Sequence, residues 1–235
     1  MSISEDGLRK NQANFASLSP LSFLERTRKT FPNQIAIEYK EYKLSYKQAG
    51  QRCDALANLI KNQKFNSGST IAVMLPNIPV MWECHFGVPM AIGVLNAINT
   101  RLDSHTVQFI LEHGEAKLFI YDSEYSPIVE KALENLKNPP TVIEFVDEVA
   151  GNKRSNFANK VNCLDYETEL KNFIGTTFEH VLPNDEWNSI ALNYTSGTTG
   201  NPKGVVYHHR GAYLNAIGNS LTWDLPMHPK YLWTL

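Results

Sequence analysis

Short apolar runs and helical patterns alternate along residues 71–146, and that alternation limits the chain to very few folds. Residues 71–75 form a continuous apolar run of the kind carried by a strand buried on both faces. Helical composition follows over residues 80–91, and residues 94–98 give the next apolar run. A helix over residues 104–113 stops at Gly114, a suitable C-cap, and residues 118–121 read as a strand. Ser126 and Pro127 open another helix, and residues 141–146 give a further strand. Repeated strand–helix–strand units predict an α/β fold with a doubly wound, mostly parallel sheet and flanking helices.

Upstream of this region, Ser19-Pro20 marks a helix start, since proline suits the first helical position; the helix ends near Phe31-Pro32. Ile35, Ile37 and Tyr39 alternate, as do Tyr42, Leu44 and Tyr46 after a polar break, which predicts a hairpin. Ser45 with Gln48 reads as a capping box for a helix to about Lys64. Further on, residues 151–162 are polar and read as an exposed loop, residues 166–173 as a short helix and residues 189–194 as a strand. Residues 231–235 read as a strand just begun, and Trp223, Tyr231 and Trp233 are expected in the core.

Composition removes several function classes. With 22 basic and 24 acidic side chains the net charge is −2, which offers no basic face to nucleic acid or a membrane surface. Cys53, Cys84 and Cys163 are odd in number and widely spaced, with no metal-ligand pattern, so zinc is not expected. Unpaired cysteines fit a reducing cytoplasm. Residues 1–14 lack the apolar core of a signal peptide, and residues 88–98 are too short to span a bilayer, so no integral membrane contact is expected.

The strand at 189–194 runs into Thr195-Ser196-Gly197-Thr198-Thr199-Gly200-Asn201-Pro202-Lys203-Gly204. Glycines let the backbone approach an anion with its N–H groups turned inward, and hydroxyls add donors for phosphate oxygens. Lys203 adds a charge worth about 4 kcal/mol per close contact at an effective dielectric near 20. A Walker loop, G-x-x-x-x-G-K-S/T, does not fit, because no glycine directly precedes Lys203 and Gly204 follows it. Val205, Val206 and Tyr207 read as a strand, so the pattern predicts a polyphosphate loop inside a hairpin.

The eleven residues from Tyr194, YTSGTTGNPKG, resemble the signature loop of the adenylate-forming (AMP-binding) superfamily. His209-Arg210-Gly211 is similar to the stretch that follows it there, although His208 stands where many relatives carry Ser or Thr. Leu75-Pro76-Asn77, Glu83, Phe86-Gly87 and Gly93 match an early family segment. Residues 96–122, with Asn99-x-Arg101-Leu102, resemble the acyl- and aryl-CoA ligase branch.

The resemblance covers residues 18–235 and implies the front part of an acyl-CoA synthetase for a short- to medium-chain fatty acid or related carboxylate. Residues 1–17 would be a flexible tail and residues 18–235 a partial adenylation domain, stopping before the adenine, ribose and hinge motifs and the C-terminal domain. Ligase activity from this length alone is not expected. It implies ATP, Mg2+ and coenzyme A, with a small carboxylic acid as partner. Carried over by motif, Ser196, Gly197, Thr198, Thr199, Gly200 and Lys203 bind the phosphates, with Lys203 in the catalytic role. Thr195 joins the ATP contacts and is the candidate Mg2+ ligand. The alternatives are a non-catalytic nucleotide- or partner-binding module, or another adenylating enzyme of the amino-acid or luciferase type.

Other reactive side chains have plainer readings. His208 and His209 read as surface or packing residues, His113 as a helix-end cation, and Glu83 and Asp103 as helix or cap residues. Cys84 and His85, adjacent on a helix, point about 100° apart and make a poor dyad.

Overall fold

A computed structural model describes residues 7–134, 136–161, 163–195 and 201–234. Helix α1 spans Leu21–Thr30, with Pro20 at the N-cap rather than in the first turn. The Ser19 hydroxyl accepts from the Leu21 amide at 3.3 Å, a bond that Pro20 in the first turn has no N–H to make. Strands β1 (Ile35–Tyr39) and β2 (Tyr42–Ser45) form the expected antiparallel hairpin. Helix α2 (Tyr46–Asn62) starts on a full capping box: Gln48 N donates to Ser45 Oγ at 3.3 Å, and Ser45 N donates to Gln48 Oε1 at 2.9 Å.

The main sheet then builds through β3 (Thr70–Met74), α3 (Pro79–Met90), β4 (Val94–Ala97), α4 (Ser104–His113) and β5 (Leu118–Asp122). It continues through α5 (Ser126–Leu133), β6 (Thr141–Phe145), α6 (Asn156–Lys160), β7 (Leu164–Asp165) and α7 (Tyr166–Lys171). The last described elements are β8 (Ser189–Thr195), β9 (Lys203–His208) and α8 (His209–Thr222). Strand order is β7-β6-β5-β3-β4-β8-β9, and every neighbouring pair is parallel except β8 with β9.

Two-residue periodicity divides the core between the two faces of the sheet. Ile71, Val73, Leu118 and Ile120 pack with Leu56, Leu59, Val88 and Leu170 of α2, α3 and α7. Ala72, Met74, Phe119 and Tyr121 pack with Ile110, Val129 and Phe157 of α4, α5 and α6. Each fully buried side chain of this size contributes about 1.5–3 kcal/mol. Leu21 and Leu24 of α1 join Cys53, Ala57 and Met90 in a smaller cluster outside α2 and α3.

Three expectations are corrected. Residues 151–161 are not a simple exposed loop, because α6 buries Phe157 and Ala158 against the core; its polar residues face solvent and hide that apolar pair in the sequence. Trp223 and Tyr231 lie outside the core, at 55% and 64% exposure, stacked on each other, whereas Trp233 packs partly against it. Residues 231–234 form no strand.

Parallel pairing brings the carboxyl ends of β3, β4, β5 and β8 to one edge of the sheet. The β4-to-β5 connection crosses over β3, so strand order reverses there, and such a reversal opens a crevice at the carboxyl edge where α/β proteins place ligands.

Candidate phosphate-binding site

Strand β8 runs to the carboxyl edge and β9 returns antiparallel beside it, as the hairpin reading expects. The last rungs pair Tyr194 with Gly204 and Thr195 with Lys203. A hydroxyl and an ammonium therefore face each other across the mouth of the turn, both exposed. Ser196, Gly197, Thr198, Thr199 and Gly200 lie outside the described residues. Gly204 has a local reason to be glycine: a Cβ there would sit 3.0 Å from Leu192 Cδ1 and 3.5 Å from the Tyr194 ring.

Both strands are tied down just outside this mouth. The Tyr194 hydroxyl lies 2.7 Å from His113 Nδ1 at the end of α4, and its ring meets Phe109 edge-on with centroids 6.5 Å apart. At the exit of β9, His208 caps α8 by accepting from Gly211 N at 2.8 Å. His209 is buried, with Nδ1 2.8 Å from Ser19 Oγ, and burial pushes its imidazole down to about 4. Arg210 Nη1 meets Glu186 Oε1 at 2.6 Å, and Glu186 Oε2 accepts from Leu18 N at 2.8 Å.

These contacts fit the plain reading of both histidines. His208 holds a helix start and His209 packs as a neutral ring, so neither is presented as a base. Asp103 caps α4 by accepting from Thr106 N at 2.9 Å. Burial pushes the Cys84 thiol well up, which removes it from nucleophilic work, and the adjacent His85 is exposed and faces the Trp233 ring instead.

The long-range partners around the hairpin had no signal in the sequence. Ser19 and His209 are 190 residues apart, and His113 and Tyr194 are 81 apart. Glu83 sits on a helix as expected, but it also anchors a buried polar network with Arg52 and Tyr166. No local pattern encodes such long-range pairs.

Among the described residues, no group of three His, Cys, Asp or Glu side chains is placed to hold a metal ion. Thr195 offers a single hard oxygen. That suits Mg2+, which keeps waters and substrate phosphates around it and asks the protein for only one or two oxygens. No described helix is long and apolar enough to cross a membrane.

A family model described as "AMP-binding enzyme" matches residues 24–235. Acetate–CoA ligase CCL3 of Humulus lupulus is 39% identical over 98% of this chain and 42% of its own length. The peroxisomal acetate/butyrate–CoA ligase AAE7 of Arabidopsis thaliana is 38% identical over the same shares. The peroxisomal trans-cinnamate:CoA ligase of Petunia hybrida is also 38% identical, over 98% of this chain and 42% of its own length. The chain thus spans about two fifths of the length of these relatives. Among solved structures, the anthranilate CoA ligase AuaEII in complex with anthranoyl-AMP superposes with a TM-score of 0.74 at 20% identity. It covers 86% of this chain and 37% of that one, and at such identity the likeness is one of fold.

Proposed function

The chain belongs to the AMP-binding enzyme family, and from that premise we propose that it is the front part of an ATP-dependent carboxylate–CoA ligase. The observation that carries the reading is the pairing of Thr195 with Lys203 at the mouth of a hairpin loop on the carboxyl edge of the sheet. The hairpin brings Thr195 and Lys203 together at that edge, and the lysine supplies the charge that a polyphosphate needs.

In the proposed reaction a carboxylate oxygen bonds to the α-phosphorus of ATP. The bond from that phosphorus to the bridging oxygen breaks, and pyrophosphate leaves with its electron pair. The thiol of coenzyme A then gives up its proton and attacks the acyl carbon. A thioester forms and AMP leaves. Adenylation supplies the leaving group that a free carboxylate lacks.

The chain's own task is to hold the polyphosphate in line and meet charge as it develops. Lys203, together with Ser196, Gly197, Thr198, Thr199 and Gly200, takes the phosphate oxygens, and Thr195 adds a hydroxyl to them. Mg2+, when bound beside Thr195, supplies further neutralisation of phosphate charge.

The substrate proposed is a short-chain fatty acid or a similar small carboxylate, on the names of the two relatives that act on acetate or butyrate. Residues 18–235 are proposed as a partial adenylation domain and residues 1–17 as a tail. The proposed compartment is the cytoplasm, on three free, buried cysteines; imaging a tagged protein separates this from the peroxisome named for two relatives.

The test is AMP release by the full-length protein with ATP, coenzyme A and a panel of acetate, butyrate and trans-cinnamate. Release with acetate or butyrate is the expected result. No release with any acid, alongside retained ATP binding, overturns the ligase and leaves a nucleotide-binding module. Because the chain spans 42% of its relatives' length, the 235-residue chain alone is expected to release no pyrophosphate.

A further inference from the structure

His113 was given no part in the site above, yet it holds the residue that leads into the phosphate loop. Its Nδ1 is 2.7 Å from the Tyr194 hydroxyl, and its ring meets the Tyr194 ring nearly perpendicular, with centroids 5.7 Å apart. Phe109, one turn earlier on α4, stacks on His113 at 5.2 Å and meets Tyr194 edge-on. Tyr194 is therefore gripped at its ring and at its hydroxyl by a single helix.

The next residue in the chain makes that approach possible. A Cβ on Gly114 would fall 2.8 Å from Ile110 O and 3.3 Å from the Tyr194 hydroxyl oxygen. Any larger residue would crowd the hydroxyl at its contact with α4. The same point is 3.3 Å from Asn96 Nδ2. Asn96, on β4, has no exposed surface, and neither polar atom of its side chain has a hydrogen-bond partner among the described residues. The Tyr194 hydroxyl thus meets His113 at the exposed end of α4, beside the buried Asn96.

We propose that His113 is a positioning residue for ATP: through the Tyr194 hydroxyl it fixes the direction in which β8 delivers Thr195 opposite Lys203. Tyr194 directly precedes Thr195, whose rung with Lys203 is the last of the hairpin. Rotation or lift of Tyr194 displaces that rung, and the phosphate ligands move with it. The acyl end of the reaction is untouched. This inference rests on the phosphate-binding reading of the loop.

The experiment is a double-mutant cycle in the full-length protein, combining His113→Ala with Tyr194→Phe and using His113→Asn as the conservative rescue. An asparagine carboxamide can place its oxygen near the Nδ1 position. Each single change is expected to raise KM for ATP about threefold to tenfold, the range one hydrogen bond supports. KM for the carboxylate stays within twofold. The double variant resembles either single one, and His113→Asn returns most of the loss. Unchanged KM for ATP, additive losses, or an equal rise in KM for the carboxylate would overturn the assignment.

A second measurement does not need ligase activity. Amide hydrogen exchange at Thr195, Lys203 and Gly204 is followed in the 235-residue chain. It should speed up in His113→Ala and stay near the wild-type rate in His113→Asn. Equal exchange in all three refutes the positioning role even if no acid is activated. A faster rate in His113→Ala with an inactive full-length protein refutes the ligase instead.

Discussion

Tyr166 donates its hydroxyl to Glu83 Oε2 at 2.8 Å, so the first residue of α7 closes over a carboxylate of α3 that has no exposed surface. Arg52 of α2 completes the arrangement, with Nε 2.5 Å from Glu83 Oε1 and Nη2 2.5 Å from Glu167 Oε1. Three helices on one face of the sheet are thereby joined through a single guanidinium. Burial pushes the Glu83 carboxyl up, opposed by the Arg52 charge and by hydrogen bonds from Arg52 and Tyr166.

Removing one partner of such a pair is far more costly than the pair is stabilising, because the remaining charge stays buried. Arg52→Ala is expected to lower unfolding free energy by about 3–5 kcal/mol, read from urea denaturation. Glu83→Gln should cost less, since a neutral amide still accepts from Tyr166 and Arg52 keeps its pairing with Glu167. A loss below about 1 kcal/mol for Arg52→Ala would mean that water reaches Glu83 and the network is not sealed.

Gly87 sets how closely α2 and α3 approach. A Cβ there would meet Leu56 Cδ2 at 2.8 Å, Cγ at 2.9 Å and Cβ at 3.0 Å. Rotating Leu56 cannot clear its own Cβ, so the helices must part. Alanine restores about 0.5–1 kcal/mol of helix preference, but overpacking costs about 1–3 kcal/mol and wins. Gly87→Ala should therefore lower the thermal midpoint. Gly218→Ala, on exposed α8 with nothing within 4 Å, should raise it. Equal signs for the two would show that the α2–α3 contact yields easily.

Strands β3, β4, β5, β6 and β8 were readable because each is a short, mostly apolar run, whereas β7, only Leu164–Asp165, carries no such run and was not anticipated. The hairpin at residues 35–45 and the Ser45 capping box were readable because they are local. Helix α6 was not: its two buried residues, Phe157 and Ala158, sit in five residues that are otherwise polar. Trp223 misled because aromatic content carries no information about which neighbours are present. At the candidate site, the hairpin that pairs Thr195 with Lys203 was legible from the apolar runs on either side of the loop. Their supports, His113, Ser19 and Glu186, were not, since each is chosen by a contact between distant parts of the chain.

Lys203 stands at the last rung of the hairpin, exposed beside Thr195. If it contacts the polyphosphate, its loss removes a hydrogen bond to a charged group, about 1.5–3 kcal/mol. Lys203→Ala in the full-length protein should then reduce kcat/KM for ATP about 10- to 100-fold. The carboxylate KM should change little. Unchanged kinetics with ATP would remove Lys203 from the site.

His209 gives the chain a built-in acid sensitivity. Its imidazole is pushed by burial to about 4, whereas an unfolded histidine titrates near 6.5. Between those values the unfolded state binds more protons, so this contribution is full above pH 6.5 and is lost as pH falls towards 4. By pH 5 the loss amounts to about 2 kcal/mol, before most carboxylates begin to protonate. His209→Asn keeps an acceptor for the Ser19 hydroxyl but cannot take up the proton. Urea midpoints measured from pH 7 to pH 5 should fall less steeply in that variant than in the wild type. Parallel slopes would mean that the Ser19 contact opens and hydrates the ring before it titrates.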